Sequence, residues 1–119
     1  MNELISIIIP TYNHAQYLER CLNSIETQTF KNYEIIIIDN HSEDNTKSII
    51  DNFKHLPIKY LLIHNKGIYA KSRNLGIKNS SGNIIAFLDS DDWWKETKLQ
   101  ECYKLIQNGY DMIYHNLEV

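Results

Sequence analysis

The stretch Tyr33-Glu34-Ile35-Ile36-Ile37-Ile38-Asp39 places four successive isoleucines directly before a carboxylate. Side chains of a strand alternate between the two faces of a sheet, so both faces of this strand are apolar. Such a strand is typical of a parallel sheet that helices cover on both sides. The end of the run predicts that Asp39 lies at the mouth of the sheet, where ligands bind in folds of this kind.

Other segments predict the rest of the sheet and its helices. Short isoleucine-rich runs predict strands at Leu4–Ile9, Tyr33–Ile38, Ile58–Ile63 and Asn83–Leu88, with a weaker fifth candidate at Asp111–Tyr114. Between them, apolar residues spaced by three and four predict helices around Leu18–Ile25, Ile49–Phe53 and Leu99–Ile106, and Gly67–Lys78 is a further helix candidate. Alternating strands and helices predict an α/β fold with a mainly parallel, doubly wound sheet and right-handed crossovers.

Two polar patterns suggest where helices begin. Asn13 with Gln16 resembles a capping box for the first helix. Ser42 or Asp44 is expected to cap the second helix, with Glu43 and Asp44 in its first turn.

Bulk properties exclude several classes of protein. The 119 residues, 43% of them hydrophobic, fit one domain spanning residues 1–119. A formal charge of −3 and dispersed basic residues give no field for nucleic acid, so we expect no nucleic-acid partner. Cys21 and Cys102 have neither metal-ligand nor secreted-disulfide spacing, which predicts buried thiols in a reducing compartment.

The N-terminal residues lack the basic region and cleavage site of a signal peptide. No apolar run approaches the roughly 20 residues that cross a bilayer as a helix. We therefore expect a cytoplasmic protein, and association of a longer parent protein with the inner face of the membrane stays open.

Polar residues follow every predicted strand. The four segments are Pro10-Thr11-Tyr12-Asn13, Asp39-Asn40-His41-Ser42, His64-Asn65-Lys66-Gly67 and Asp89-Ser90-Asp91-Asp92. Because the carboxyl ends of parallel strands share one edge, these segments are expected to form a single rim. This rim is the candidate site.

The acidic segment after the fourth strand predicts a metal site. In an extended chain Asp89 and Asp91 project to the same side, directly after an apolar strand. Such a pair can hold Mg²⁺ or Mn²⁺ and leave coordination positions for phosphate oxygens. A solvated acidic loop is the plainer alternative.

Other rim residues have two interpretations each. Tyr12 suits stacking on a planar base, or a place in the core. Asp39 can accept hydrogen bonds from a ligand, or form an ordinary turn. Arg73 can direct its guanidinium at a diphosphate, or be solvated like most basic residues on a helix face.

Taken in order, four blocks resemble glycosyltransferase family 2, whose members are nucleotide-sugar-dependent enzymes with the GT-A fold. The blocks are Ser6 to Asn13, Glu34 to Asp39, Asn65-Lys66-Gly67 with Ala70, Arg73, Asn74 and Gly76, and Gly82 to Asp92. The resemblance covers essentially the whole chain. It implies a Rossmann-like GT-A α/β/α sandwich and transfer of a sugar, commonly from a UDP-sugar, to a hydroxyl of a carbohydrate or lipid-linked acceptor with inversion.

The resemblance also implies a role for each rim residue. It assigns the nucleotide-sugar donor to Pro10, Thr11, Tyr12, Asp39, Arg73, Asp89 and Ser90, the Mn²⁺ or Mg²⁺ ion to Asp91 and Asp89, and the acceptor side to Asp92. Tyr12 would lie against the base, and Asp39 would bond to its edge.

This chain departs from the family in two ways. The common Asp-Asp-Gly-Ser is replaced by Asp39-Asn40-His41-Ser42, which keeps the first carboxylate but loses the second and the glycine. The family's catalytic domain also continues further, so we expect a donor-binding half, truncated after the fourth or fifth strand and lacking the general base. Sheet edges and apolar surface exposed in this way predict a homo-oligomer.

Other classes of protein remain as alternatives. A nucleotide- or metal-binding module without catalysis is the main one. A phosphoacceptor signalling domain would need acidic residues after the first strand, where this chain has Pro10 to Asn13. Dinucleotide and P-loop folds are disfavoured because no glycine-rich loop follows that strand.

Overall fold

The computed structural model describes residues 3–107. The elements are β1 (Ile5–Thr11), α1 (Ala15–Glu26), β2 (Tyr33–Asp39), α2 (Thr46–Asp51), β3 (Ile58–Leu62), α3 (Tyr69–Lys78), β4 (Ile84–Phe87) and α4 (Lys98–Gln107). The four main strands and four helices predicted from the sequence are therefore present, with strand ends shifted by at most two residues and helix ends by at most three. The fifth strand candidate, Asp111–Tyr114, lies outside the described residues.

All four strands are parallel and follow the order β3-β2-β1-β4. The chain moves outward from β1 through β2 to β3 and then returns to place β4 on the other side of β1. The order therefore reverses between β1 and β4, which is where open α/β sheets form their ligand crevice. The register sets Thr11 opposite Asp39 at the carboxyl ends of β1 and β2.

Helices cover both faces of the sheet unequally. On one face α1, α2 and α4 pack on the sheet, burying Ile5, Ile7, Ile9, Ile35 and Ile37 with Leu18, Leu22, Ile25, Ile50 and Leu99. On the other face α3 packs through Leu75 over a smaller cluster of Ile8, Ile36 and Ile38. A Cβ on Gly76 would lie 2.6 Å from Ile8 Cγ2, so the glycine permits this close approach.

The expectation that all four strands are covered on both faces is wrong for two of them. Every residue of β1 and β2 is buried, whereas β3 and β4 are partly exposed. They are the edge strands, and Leu62 and Phe87 are 53% and 43% exposed. Phe87 pairs with Ile8 and lies on the face that the single helix α3 covers only in part. Leu62 pairs with Asp39 and lies on the opposite face, at the outer edge of the sheet.

The predicted capping box of α1 is wrong. Asn13 adopts a left-handed conformation with φ 53°. Its side-chain oxygen accepts a hydrogen bond from Glu43 N at 2.8 Å rather than from α1. The first turn of α1 is capped from another loop, since Asp44 Oδ2 accepts a hydrogen bond from Ala15 N at 3.1 Å.

The start of α2 also differs from the prediction. Asn45 occupies the N-cap position and makes no side-chain capping bond, so neither Ser42 nor Asp44 is the cap. Asp44 Oδ1 nevertheless accepts hydrogen bonds from the backbone N–H and the hydroxyl of Thr46. Glu43 and Asp44 thus precede α2 rather than forming its first turn.

A buried carboxylate ties the amino ends of the strands together. Glu34 Oε2 accepts hydrogen bonds from Ser6 Oγ and from Ser81 N, both at 2.6 Å. Ser6 Oγ in turn accepts one from Gly82 N at 2.8 Å, and Lys59 Nζ lies 3.3 Å from Glu34 Oε1. This contact joins β1, β2, β3 and the turn that leads into β4.

The two cysteines differ in burial. Cys21 is buried as predicted, whereas Cys102 is only partly buried, which contradicts the prediction for that thiol. Within the described range, no helix has the length and apolar character needed to cross a membrane.

Candidate functional site

Hydrogen bonds join the loops that follow β1 and β2. Asn13 N donates to Ser42 Oγ at 2.9 Å, and Asn13 Oδ1 accepts from Glu43 N at 2.8 Å. The loop after β3 joins them because Asn65 N donates to Asn40 Oδ1 at 2.9 Å. Three of the four polar segments predicted from the sequence therefore lie together.

The loop after β4 completes the rim. His14 Nδ1 and Ser90 Oγ share a hydrogen bond of 2.7 Å, which links this loop to the one after β1. Tyr69 and Arg73 at the start of α3 contact Asp89. The structure thus brings all four predicted segments to one edge of the sheet.

Left-handed backbone also concentrates on the rim. Among the described residues, the non-glycine residues with positive φ are Asn13, His41 and Lys66, with φ of 53°, 51° and 53°. Such conformations cost free energy and cluster at functional sites. His41 occupies the glycine position of the family pattern, and it keeps the left-handed turn that glycine adopts freely.

Two contacts hold His41 in this conformation. Its Nδ1 donates a hydrogen bond to Ile63 O at 2.9 Å, and its ring stacks on His64 with centroids 3.6 Å apart and planes inclined by 5°. The sequence analysis gave neither histidine a role. The loss of the family glycine therefore leaves the turn after β2 intact.

Asp39 is 2% exposed and already makes three hydrogen bonds. Oδ1 accepts from Ser42 N at 2.9 Å and from Ser42 Oγ at 2.6 Å, which is the turn that the sequence allowed. Oδ2 accepts from Tyr60 OH at 2.6 Å. A carboxylate accepts about four hydrogen bonds, so Oδ2 keeps capacity for one more.

Tyr60 was not among the residues predicted for the site. This residue pairs with Ile37 in the register, and its side chain therefore shares a face with that of Asp39. Burial and the hydrogen bond to Asp39 raise the pKa of Tyr60, so it remains a donor at neutral pH.

The strand β1 ends beside Asp39 with Pro10 and Thr11, and Tyr12 follows it. Pro10 is buried and pairs with Ile38, and the strand continues through it to Thr11. Thr11 is 4% exposed, and its hydroxyl has no partner. Tyr12 is 50% exposed, which excludes the interpretation as a core aromatic and leaves its ring open to stacking.

The acidic loop combines exposed carboxylates with a buried serine. The side chain of Asp89 is 49% exposed, Asp91 and Asp92 are exposed, and Ser90 is buried. A turn closed by the hydrogen bond from Asp92 N to Asp89 O, at 2.9 Å, shapes the loop, so the extended backbone predicted for Asp89 to Asp91 is wrong. Arg20, which the sequence analysis did not select, donates to Asp91 O at 3.4 Å.

Cys21 lies beneath this loop, with its Sγ 3.9 Å from Asp89 O. Burial, and then the negative charges of Asp92, Asp89 and Asp91, raise the pKa of the Cys21 thiol. Cys21 is therefore a neutral packing residue rather than a thiolate nucleophile.

Arg73 lies between two aromatic rings. Its Cζ is 5.0 Å from the ring centroid of Tyr69 and 5.1 Å from that of Phe87, and its Nη2 is 3.8 Å from Asp89 Oδ1. In the described part of the chain, the buried side-chain polar atoms without a partner are Arg73 Nε and Thr11 Oγ1. Buried polar atoms nearly always have hydrogen-bond partners. Both exceptions lie on the rim, where a ligand could supply the missing partners.

The acidic loop fits a divalent cation that is shared with a ligand. Residues 3–107 contain no group of three or more histidine, cysteine, aspartate or glutamate side chains able to hold a metal by themselves. Mg²⁺ is commonly bound by one or two carboxylates together with substrate phosphates. The exposed carboxylates of Asp89 and Asp91 match that arrangement rather than a site built from protein groups alone.

A parallel sheet of this order, with helices on both faces and a polar rim at its switch point, defines a Rossmann-like α/β protein. The model of glycosyl transferase family 2 matches residues 6–119, and the chain belongs to that family.

The comparisons also confirm the GT-A fold that the resemblance implied. Residues 1–349 of Staphylococcus aureus TarS, solved in complex with UDP-GlcNAc, are 31% identical with a TM-score of 0.81, and the match covers 87% of this chain and 31% of that TarS fragment. The mannosyltransferase PcManGT from Pyrobaculum calidifontis, in complex with GDP-Man and Mn²⁺, is 25% identical with a TM-score of 0.70, covering 76% of this chain and 28% of PcManGT.

Sequence relatives are named as glycosyltransferases of several kinds. Escherichia coli WfgD, a UDP-Glc:alpha-D-GlcNAc-diphosphoundecaprenol beta-1,3-glucosyltransferase, is 36% identical over 117 residues, which is 98% of this chain and 46% of WfgD. The chain spans between 15% and 46% of the length of the curated relatives reported for it.

Proposed function

We propose that this chain is the donor-binding part of a glycosyltransferase that uses a nucleoside-diphosphate sugar, preferably a UDP-sugar. One observation carries the proposal: four loops meet on one rim, and the two buried side-chain polar atoms without partners in residues 3–107, Thr11 Oγ1 and Arg73 Nε, both lie there. Family membership and the likeness to TarS with UDP-GlcNAc support the same ligand class.

The base is assigned to the part of the rim between β1 and β2. Tyr12 offers a half-exposed ring for stacking, and Asp39 Oδ2 has capacity for one hydrogen bond from an N–H of uracil. Thr11 Oγ1 would gain the partner that it lacks in the chain alone. Ser42 and Tyr60 keep the Asp39 carboxylate oriented.

The ribose and diphosphate are assigned to the side of the rim near β4. Asp89 would serve the ribose and metal region, Asp91 would hold Mn²⁺ or Mg²⁺, and Arg73 would face the diphosphate. When bound, the cation would neutralise charge on the departing diphosphate. Asp92 would border the sugar and the acceptor, and Ser90 would anchor the loop through His14.

The proposed reaction exchanges one bond at the anomeric carbon. The acceptor oxygen bonds to that carbon, the bond to the diphosphate oxygen breaks, and the acceptor proton passes to a carboxylate base. We assign inversion by resemblance, and we place the base in the acceptor-binding half of the family domain. A carbohydrate on a diphosphate lipid, as in the printed name of WfgD, is one acceptor of the proposed class.

Calorimetric titration of the chain with UDP, GDP, CDP and ADP, each with and without Mn²⁺, tests this proposal. We expect UDP to bind best and Mn²⁺ to strengthen binding at least about tenfold, or about 1.4 kcal/mol. Asp91→Ala should remove the Mn²⁺ effect, whereas Asp51→Ala, an exposed aspartate paired with Lys47 on α2, should retain it.

The proposal fails if no nucleoside diphosphate binds, or if Asp91→Ala retains the full Mn²⁺ effect. Preference for GDP would keep the class of ligand and overturn the choice of base. A non-catalytic binding module differs only in turnover, so release or transfer of sugar from a panel of donors by this chain would exclude it.

A further inference from the structure

Tyr69, the first residue of α3, contacts the acidic loop directly. Its hydroxyl donates a hydrogen bond to Asp89 Oδ1 at 2.9 Å, across 20 positions of sequence. The nearest Arg73 nitrogen lies 3.8 Å from the same oxygen, which is too long for a hydrogen bond. Tyr69 is therefore the closer and more directional of the two contacts.

This contact limits how Asp89 can turn. The Asp89 side chain is half-exposed and begins a loop, so its carboxylate could otherwise rotate among several rotamers. Both the phenol and the guanidinium approach Oδ1 rather than Oδ2. With Oδ1 held, Oδ2 is the oxygen left to meet a cation or a ribose hydroxyl.

A phenol suits this task because it orients the carboxylate without neutralising it. The phenol carries no positive charge, and its hydroxyl donates one directional hydrogen bond to the carboxylate. The ring also faces the Arg73 guanidinium at 5.0 Å, which helps to fix both groups.

We infer that Tyr69 is a positioning residue that orients Asp89 toward the cation-bound diphosphate. The inference rests on the proposed function, because it assumes that Asp89 and Asp91 together receive a cation and a nucleotide. Outer hydrogen bonds to metal-binding groups typically change metal affinity by about 10- to 100-fold. Asp89 is half-exposed, so the lower end of that range is expected.

The test uses Tyr69→Phe, which deletes the hydroxyl and keeps the ring beside Arg73. The matched control is Tyr103→Phe on α4, which removes a hydroxyl that accepts a hydrogen bond from Gln107 and keeps the ring. UDP is titrated into each protein at several Mn²⁺ concentrations and without metal. We expect Tyr69→Phe to weaken Mn²⁺-dependent UDP binding about tenfold and to weaken metal-free UDP binding by clearly less.

A double-mutant cycle with Asp89→Asn distinguishes positioning from a general structural role. If Tyr69 acts through the Asp89 carboxylate, Tyr69→Phe should add little to the loss that Asp89→Asn already causes. An equal tenfold loss in both backgrounds, an equal loss with and without Mn²⁺, or no loss at all would overturn the inference. Failure of the wild-type chain to bind UDP with Mn²⁺ would instead overturn the proposed function and the inference together.

Discussion

The Glu34 carboxylate holds the amino ends of the strands together, and replacing it by glutamine should weaken the fold. Glutamine keeps the size and shape of the side chain but removes its charge. Glu34 Oε2 now accepts two hydrogen bonds of 2.6 Å, from Ser6 Oγ and Ser81 N. The Glu34 side chain is only 11% exposed, so solvent replaces little of what is lost.

The expected cost follows from these contacts. A hydrogen bond to a charged group contributes about 1.5–3 kcal/mol, against about 0.5–1.5 kcal/mol for a neutral one. Each of the two bonds therefore loses about 1 kcal/mol in Glu34→Gln. The ion pair with Lys59 adds at most a few tenths of a kcal/mol, because the lysine is 45% exposed. We expect the free energy of unfolding to fall by about 2 kcal/mol.

Urea unfolding followed by tryptophan fluorescence at pH 7 measures this loss, and lower pH tests its cause. Burial acts to raise the pKa of Glu34, but the hydrogen bonds from Ser6, Ser81 and Lys59 leave it below the ordinary value of 4.5. The stabilisation is therefore present above pH 4.5 and is lost as the pH falls through the lower pKa of the folded state. The difference between wild type and Glu34→Gln should shrink in that range.

Glu19→Gln, at an exposed glutamate on α1, is the control and should leave the unfolding midpoint unchanged. A Glu34→Gln midpoint equal to that of the wild type at pH 7 would refute the argument that the carboxylate holds the strands. A loss that persists undiminished at low pH would refute the role of its charge and leave shape as the cause.

Three further predictions concern single contacts. Thr11→Val should raise the free energy of unfolding by about 1 kcal/mol, because it deletes a buried hydroxyl without a partner. The same substitution should weaken UDP binding measured by calorimetry. If stability and UDP affinity both rise or both fall, the assignment of Thr11 to the ligand is contradicted. Gly82→Ala should lower the free energy of urea unfolding by about 2–3 kcal/mol, because the new Cβ would lie 2.4 Å from Leu4 O; an unchanged midpoint would contradict this. Burial and Asp39 raise the pKa of Tyr60. The stability that Tyr60 contributes is therefore fully present below about pH 10, and it is lost as the pH rises through the higher pKa of the folded state. Tyr60→Phe should reduce the decrease in the free energy of urea unfolding at alkaline pH.

The sheet could be predicted because its signal is local. Runs such as Ile35 to Ile38 are apolar on both faces, and the polar residue that ends each run marks the rim. The partial exposure of β3 and β4 could not be predicted, because it follows from strand order, and the sequence does not state which strands are at the edges. Leu62 and Phe87 have the apolar side chains of core residues, but the order β3-β2-β1-β4 places them on edge strands.

The site was less predictable because its contacts span distant segments. Asn13 is a residue type that often caps helices, yet its side-chain oxygen accepts a hydrogen bond from Glu43 N. Asp44, 29 positions after Ala15, caps α1 instead. Tyr60 and Tyr69 show the same limit. Each has an ordinary place in a strand or helix, and each finds its carboxylate only once the sheet has formed. The available signals were the register of Tyr60 opposite Ile37, two positions before Asp39, and the place of Tyr69 at the start of α3.

The contacts at the amino ends of the strands stabilise the fold, whereas those at the carboxyl ends are assigned to ligand binding. At the amino ends Glu34 is buried with its charge fully bonded, so any change there costs folding free energy. At the carboxyl ends Thr11 keeps a buried hydroxyl unpaired, which costs the chain stability that an apolar residue would restore. A purely structural rim would gain from losing that hydroxyl. Its presence is therefore best explained by a ligand that completes the bond, and opposite signs for stability and affinity in Thr11→Val follow from that explanation alone.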